Sequence, residues 1–386
     1  MTTNFNFRAP PRIVAEVGGV ARLGELAREL GCKRPLVVCD PGIVACGIAA
    51  RALDALESAG LAPQFFDGVA ADPPVATVHA GVEVARRADA DGVIGLGGGS
   101  SLDTAKVIAL LARSSQSIDE LYGVDLAVGG RLPLIQVPTT AGTGSEVTWV
   151  SVITNERNEK KAVYTPQLLP DVALLDAELT LGMPPRVTAA TALDAMVHAI
   201  EGYTSRTKKS PVADALARKA LELLAGNLPR VLADGRDVEA RAAMLQGAML
   251  GGMAFVNASV AAIHGLAYPL GARFHVPHGH ANALVMGPVL RFNLRAATAL
   301  YAELAPCVLP GRRFDSVAEA AEAFVATMEG LAGSGGLETR LGAFGVSGDD
   351  IPAMADEVIT QIQRLIATNP CDLDRDDVSA IYRSIL

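Results

Sequence analysis

Aromatic residues supply only 4% of this 386-residue chain and there is a single tryptophan, while half of the residues are hydrophobic. Much of that hydrophobic share is alanine, which favours closely packed helices over a sheet sandwich. Cysteine is scarce as well. The five, Cys32, Cys39, Cys46, Cys307 and Cys371, are odd in number and form no C-x-x-C pair, so neither a disulfide framework nor a thiolate zinc site is indicated. No basic run exceeds a pair such as Lys160-Lys161 or Lys208-Lys209, and the net charge is −9, which argues against nucleic acid as a partner. The N-terminal MTTNFNFRAPPR lacks an apolar h-region, and no segment approaches the roughly 18 to 20 uninterrupted apolar residues of a membrane span. A cytoplasmic protein with no membrane partner is the expectation.

The length exceeds the usual single-domain range, so two domains are expected, each able to bury its own core. In the first half, short β-rich runs at Arg12–Val17, Pro35–Cys39, Gln64–Phe66, Gly92–Leu96, Leu134–Val137, Val150–Thr154 and Ala173–Leu175 alternate with amphipathic segments. Those segments, at Val20–Leu30, Ile43–Ser58, Val75–Ala88 and Leu102–Arg113, have the length of crossover helices. The alternation predicts an α/β domain with a parallel sheet covered by helices on both faces, and ligands of such sheets bind beyond the carboxyl ends of the strands. From Pro184-Pro185 onward the β-branched runs nearly vanish. Alanine- and leucine-rich periodic segments follow at Thr188–Ser205, Val212–Leu232, Val238–Phe274, Ser316–Leu331, Asp349–Ile366 and Asp374–Ile385, which predicts an all-α C-terminal domain. The boundary is set at 184/185, giving domains 1–184 and 185–386 with an active site in the cleft between them.

Chemistry concentrates in two places. Asp194 and His198 stand four apart in a helical pattern, which stacks both side chains on one face. His264 lies near the end of an apolar helix, and His278 follows Pro277, where a loop could aim its imidazole at the same point. One carboxylate and three imidazoles make a mixed O/N donor set that suits Fe(II) or Zn(II) and binds Mg(II) poorly. The bland alternative is a chance D-x-x-x-H pair and two satisfied core or cap histidines. The second place is Gly95-Leu96-Gly97-Gly98-Gly99-Ser100-Ser101, between an apolar strand and a helix, where glycines admit close backbone approach to a pyrophosphate and the helix start offers free N–H groups. A tight strand-to-helix turn alone can also demand glycine. No suitable acid follows these glycines at the usual spacing; Asp40, on the end of an earlier strand, is the candidate for the ribose, in an order foreign to the ordinary dinucleotide unit. A second loop, from Pro138 to Glu146, adds hydroxyls and backbone donors at another strand end.

Five segments together carry a resemblance: GGGSSLDTAK at 97–106, PTTAGTGSEVT at 138–148, LPDVALLDAELTLGMPP at 169–185, ATALDAMVHAIEGY at 190–203 and HGLAYPLGARFHVPHGHANA at 264–283. In this order they resemble the iron-containing (group III) alcohol dehydrogenases, of the superfamily that includes glycerol dehydrogenase and dehydroquinate synthase. The resemblance implies that Asp194, His198, His264 and His278 hold a divalent metal, usually Fe(II), sometimes zinc or another ion. It implies that Gly97, Gly98, Gly99 and Ser100 meet the pyrophosphate of NAD, that Asp103 and Lys106 form the polar pair of the same motif, and that Thr139, Thr140 and Ser145 are cofactor contacts. Asp40 corresponds to the acid at the adenosine ribose, a choice that favours NAD over NADP because a carboxylate accepts from a 2′-OH and repels a 2′-phosphate. Trp149, Val150 and Phe255 fall where family members line the substrate pocket, and the N-terminal strand falls where they pair as homodimers.

Two positions depart from the family pattern. Tyr268 stands where many members have a second histidine of H-x-x-x-H, and Asn369-Pro370-Cys371 stands in place of Asn-Pro-Arg. Tyr268 is therefore the candidate proton relay, with His280 and His275 as nearby substitutes that also read as plain loop residues. The implied activity is interconversion of a small primary alcohol or diol and its aldehyde by hydride transfer to and from NAD. A branch acting on oxo acids, as maleylacetate reductase or hydroxyacid-oxoacid transhydrogenase, is the alternative enzyme reading, and a catalytically silent NAD-binding protein is the remote one.

Overall fold

The computed structural model describes residues 4–157 and 159–386. The chain forms two compact units, Arg8–Gly182 and Met183–Leu386, the latter joined by N-terminal residues up to Phe7.

The first unit alternates strands and helices as β1 (Arg12–Ala15), α1 (Leu23–Glu29), β2 (Pro35–Val38), α2 (Pro41–Ala45), α3 (Ile48–Ser58), β3 (Gln64–Phe66), α4 (Val75–Arg87), β4 (Gly92–Gly97) and α5 (Gly99–Leu111). Then come β5 (Gly123–Val124), β6 (Leu134–Pro138), β7 (Val150–Thr154), β8 (Lys160–Tyr164) and β9 (Val172–Leu175). Six strands make one sheet in the order β1-β9-β6-β4-β2-β3, with every pairing parallel. Parallel strands sandwiched between helices bury both faces, and this explains the uninterrupted apolar runs of β2 and β4. The period of two assigns alternate residues to opposite sides. Leu36, Val38, Val93 and Leu134 pack with Val78 and Val82 of α4 and Ile108 of α5. Val37, Ile94, Leu96, Ile135 and Val137 pack with Leu26 of α1 and Leu56 of α3.

The predicted α/β class holds, with local differences. The expected helix over 43–58 is two helices, because Gly47 turns the chain at φ 78°. β7 is not in the parallel sheet: it pairs antiparallel with β8, and β8 pairs with the two-residue β5, in a separate three-stranded sheet. Strands β5 and β8 escape a sequence reading because one is too short and the other opens on two charged residues, exposed Lys160 and half-buried Lys161.

The second unit is helical: α6 (Pro185–Thr204), α7 (Pro211–Ala233), α8 (Val238–Ala258), α9 (Ala262–Phe274), α10 (His278–Val308), α11 (Val317–Leu331), α12 (Ile351–Gln361), α13 (Gln363–Ile366) and α14 (Arg375–Ser384). Two corrections here bear on the site. The expected helix over 238–274 is broken, with α8 and α9 bent by 104° at residues 259–261. And the segment after Pro277 is no loop: His278 opens the 31-residue α10, whose Gly287-Pro288 pair reads as a breaker in sequence. Gly287 has a packing reason, since a Cβ there would lie 2.9 Å from Glu329 Cγ of α11.

Candidate metal centre and cofactor-binding loops

α6 is buried along most of its length, and Asp194, His198 and Glu201 recur on one face at i, i+4 and i+7. The bend between α8 and α9 brings in His264 as the third residue of α9, and Pro277 starts α10 so that His278 is its first residue. Three imidazoles converge on a single oxygen. Asp194 Oδ1 lies 3.9 Å from His198 Nε2, 3.7 Å from His264 Nε2 and 3.6 Å from His278 Nε2. Donors about 2.1 Å from a tetrahedral ion stand roughly 3.4 Å apart, so a slight contraction would complete a coordination shell. The rings of His198 and His264 stack with centroids 4.9 Å apart, and the His278 ring is tilted by 50° against His264 at 5.4 Å.

A second test of fit is the state of the buried polar atoms. His264 Nε2 is buried without a hydrogen-bond partner, a costly condition unless a cation completes it. Its Nδ1 lies 2.6 Å from Glu201 Oε2, and a carboxylate can only accept there, so Nδ1 carries the hydrogen and Nε2 presents its lone pair. Asn282 Nδ2 donates to Asp194 Oδ1 at 2.7 Å. Burial alone would push the Asp194 carboxyl upward, but the imidazoles of His198, His278 and His264 bring it below the usual range. Burial lowers His264, while Glu201 and Asp194 outweigh it and leave the ring more basic than usual. The residues present therefore fit a divalent cation.

His278 is the accessible ligand candidate, its side chain 39% exposed against 3 to 5% for the other three. The Tyr268 ring lies 6.2 Å from it, centroid to centroid, and is 39% exposed. Phe255 stacks on His198 at 4.2 Å and forms a wall of the cluster. His280 faces elsewhere: its Nε2 meets the Glu338 carbonyl at 2.8 Å, its ring packs edge-on against Phe344, and burial depresses its pKa. His275 is the left-handed residue that ends α9. Asn369 makes a reciprocal amide pair with Asn293 of α10, so the departing Asn-Pro-Cys segment is tied to that helix.

In the first unit the two loops lie against each other. Gly97 has φ 144°, and its carbonyl accepts from Thr139 N at 2.9 Å. A Cβ at Gly99 would lie 2.8 Å from Thr143 Cγ2, so only glycine permits this approach. Gly98 caps α5 without a side-chain bond, which leaves the first N–H groups available to an anion. Asp40 follows β2 and Gly97 ends β4; these adjacent strands lead in opposite directions across the sheet, since β3 lies beyond β2 and β6 beyond β4. That is the topological switch point, and it explains why the acid precedes the glycines in this chain. Asp40 Oδ1 caps α2 through Gly42 N and Ile43 N, while Oδ2 accepts from Ser101 Oγ at 3.1 Å.

Asp103, Lys106 and Ser145, expected as cofactor contacts, bond to protein groups in the structure. Ser145 Oγ donates to Asp103 Oδ1 at 2.6 Å, Val152 N donates to Asp103 Oδ2 at 2.8 Å, and Lys106 Nζ donates to Thr148 Oγ1 and Val150 O at 3.0 and 2.9 Å. With its side chain 0% exposed, Lys106 has no surface to offer a cofactor; burial drives its pKa down, only partly offset by Asp103 and Glu146. Burial likewise pushes the Glu146 carboxyl up to about 7. The network fastens the second loop to α5. Trp149 is half-buried, edge-on to Tyr164 at 6.0 Å, with the Arg8 guanidinium 5.5 Å from its ring.

Sequence reasoning missed Glu201 and Asn282. Both were within reach of helical spacing: Glu201 is three residues after His198, and Asn282 four after His278.

Comparison with known proteins defines the class. The profile of the iron-containing alcohol dehydrogenases matches residues 10–177, and the C-terminal profile of the Fe-containing alcohol dehydrogenase family matches residues 188–386. The chain belongs to the iron-containing alcohol dehydrogenase family. It is 37% identical over 378 residues to long-chain-alcohol dehydrogenase 1 of Geobacillus thermodenitrificans (strain NG80-2), covering 97% of this chain and 95% of that one. It is 35% identical to lactaldehyde reductase of Escherichia coli (strain K12), over 95% of this chain and 96% of that one. Among solved structures, 1,3-propanediol oxidoreductase superposes with a TM-score of 0.95 at 33% identity, over 99% of this chain and 100% of that chain. The protein is thus an oxidoreductase that interconverts an alcohol and its aldehyde, using NAD(H) and a divalent metal. Among the described residues no single helix is long and apolar enough to cross a membrane.

Proposed function

We propose that Asp194, His198, His264 and His278 hold one divalent ion, Fe(II) by preference with Zn(II) as the substitute, and that the substrate is a small primary alcohol or diol. The observation that carries this reading is the convergence of three imidazole Nε2 atoms within 3.9 Å of one carboxylate oxygen. A cation bound there supplies Lewis-acid chemistry, acidifying an alcohol or polarising a carbonyl, while NAD(H) carries the hydride. The chain's own residues do the rest. His278, the exposed member of the set, marks the side from which a substrate oxygen arrives. Phe255 limits bulk beside His198, and Trp149 and Val150 are assigned to the substrate wall. Tyr268 passes the alcohol's proton toward solvent.

Gly97, Gly98, Gly99 and Ser100 bind the pyrophosphate through backbone N–H groups, with Thr139 and Thr140 beside them, and Asp40 takes the ribose. Asp103, Lys106 and Ser145 act behind this surface by holding the second loop in place. The 184/185 boundary separates the NAD-binding domain from the metal-binding domain. The β1 edge strand, with Ile13 exposed, would serve a homodimer in the cytoplasm.

The test is one preparation assayed twice: metal content per chain, and rates in both directions for primary alcohols, diols and 2-hydroxy or oxo acids with NAD(H) and NADP(H). About one divalent ion per chain and highest kcat/KM for a small primary alcohol or diol with NAD are expected. Highest turnover of an oxo acid would move the protein to the oxo-acid branch, and active protein without metal would overturn the site.

A further inference from the structure

Glu201 is the buried acid whose bonds reach a proposed metal ligand. Its Oε1 accepts from Ile263 N at 2.6 Å, and its Oε2 accepts from Ala261 N at 2.8 Å and from His264 Nδ1 at 2.6 Å. The residue is 3% exposed, so these three donors are what stabilise its carboxylate. We propose that Glu201 is a positioning residue for the metal: it fixes the tautomer and direction of His264 and shapes the α8–α9 corner that presents Nε2 to the ion. This rests on the metal reading above.

The geometry favours this over a simple helix cap. The corner already has other fastenings, since Ser205 Oγ donates to Ala258 O and Thr368 Oγ1 to Val260 O, each at 2.7 Å. Neither touches His264. Glu201 serves the corner and the ring at once, and it stands on the same face of α6 as Asp194 and His198. One rigid helix thereby carries two proposed ligands and the group that aims a third. An imidazole whose far nitrogen is held by a carboxylate is also the more basic donor to a cation.

The experiment is Co(II) titration of metal-stripped full-length protein, followed by visible absorption, with thermal unfolding of the metal-free form. Glu201→Gln should weaken Co(II) binding by roughly 10- to 100-fold, the usual cost of losing such a partner, and should alter the Co(II) band. Ser205→Ala loosens the same corner without touching the imidazole; it should lower the metal-free Tm and leave the Co(II) affinity and band unchanged. If Glu201→Gln does not fold, Glu201→Asp takes its place: its shorter carboxylate cannot reach both the ring and the corner, and it should still lose tenfold or more. Parent-like Co(II) affinity in the Glu201 variant overturns the proposal, and so does an equal loss in Ser205→Ala, which would assign the effect to the corner alone. A parent protein that takes up no Co(II) would instead refute the metal reading itself, and this proposal with it.

Discussion

The two ligand-binding regions are built on opposite principles. The loop at Gly97–Gly99 is made by leaving side chains out: Gly97 and Gly99 remove Cβ atoms that would strike Ser101 and Thr143 respectively, and the ligand surface is backbone. The cluster at Asp194 is made by putting charged and polar side chains into a core, where burial is costly unless every group is paired. A backbone surface needs one short segment in the right conformation. A side-chain cluster needs α6, α9 and α10 all in place, and outer groups such as Glu201 and Asn282 to hold it. The first should therefore degrade by degrees, whereas the second should fail when a single ligand is removed.

The sharpest way to break the comparison is His264→Ala or His278→Ala. Each leaves an incomplete shell, and both metal content and alcohol oxidation should fall by more than the ~100-fold that loss of an outer partner costs. The fold should persist, because the remaining residues of α9 and α10 still pack. Elemental analysis and circular dichroism on the same samples check this. Near-parent metal content in either variant would show that the shell is not the four-residue set.

A smaller effect is expected at Asp40, which has two roles that can be separated by magnitude. As the N-cap of α2 it contributes little that glycine does not, since replacing a capping side chain with Gly costs only a few tenths of a kcal/mol. As the ribose acid it excludes a 2′-phosphate through a like-charge repulsion of about 1 to 4 kcal/mol at 4 Å, depending on the surroundings. Asp40→Gly should thus leave Tm within a few degrees while narrowing the NAD over NADP preference in kcat/KM by at least tenfold. If the preference is unchanged and only Tm falls, Asp40 is a cap and nothing more.

Sequence periodicity was enough for the α/β first unit, because parallel strands buried on both faces read as continuous apolar runs and the glycine loop is contiguous. It was also enough to place Asp194 and His198 on one face. It failed where tertiary contacts override local preference. The corner at Ser259, with φ 92° on a non-glycine residue, has no local signal and is held by Glu201, Ser205 and Thr368 from distant segments. The Gly287-Pro288 pair hid α10, and with it the fact that His278 sits on a helix rather than a loop. Lys106 and Asp103 belong to a recognisable motif, yet the sequence does not reveal that their side chains turn inward.

The smallest effect expected is at Tyr268, where the chain departs from its family. The hydroxyl can donate and accept, but the ring is 39% exposed and lies 6.2 Å from His278, so water can take over part of its work. Tyr268→Phe keeps the ring and deletes only that hydroxyl. Alcohol oxidation should slow by no more than about 10²-fold, the low end of what acid-base assistance contributes, and most at low pH, where solvent accepts the proton less readily. Metal content should not change, and stability should stay within about 0.5 kcal/mol, as for an exposed site. His280→Ala is the informative partner, because His280 packs on Phe344 and bonds to the Glu338 carbonyl. It should lower Tm while preserving the pH profile of the remaining activity. If instead Tyr268→Phe matches the parent at every pH and His280→Ala loses activity at unchanged Tm, the proton leaves through histidine and the assignment to Tyr268 fails.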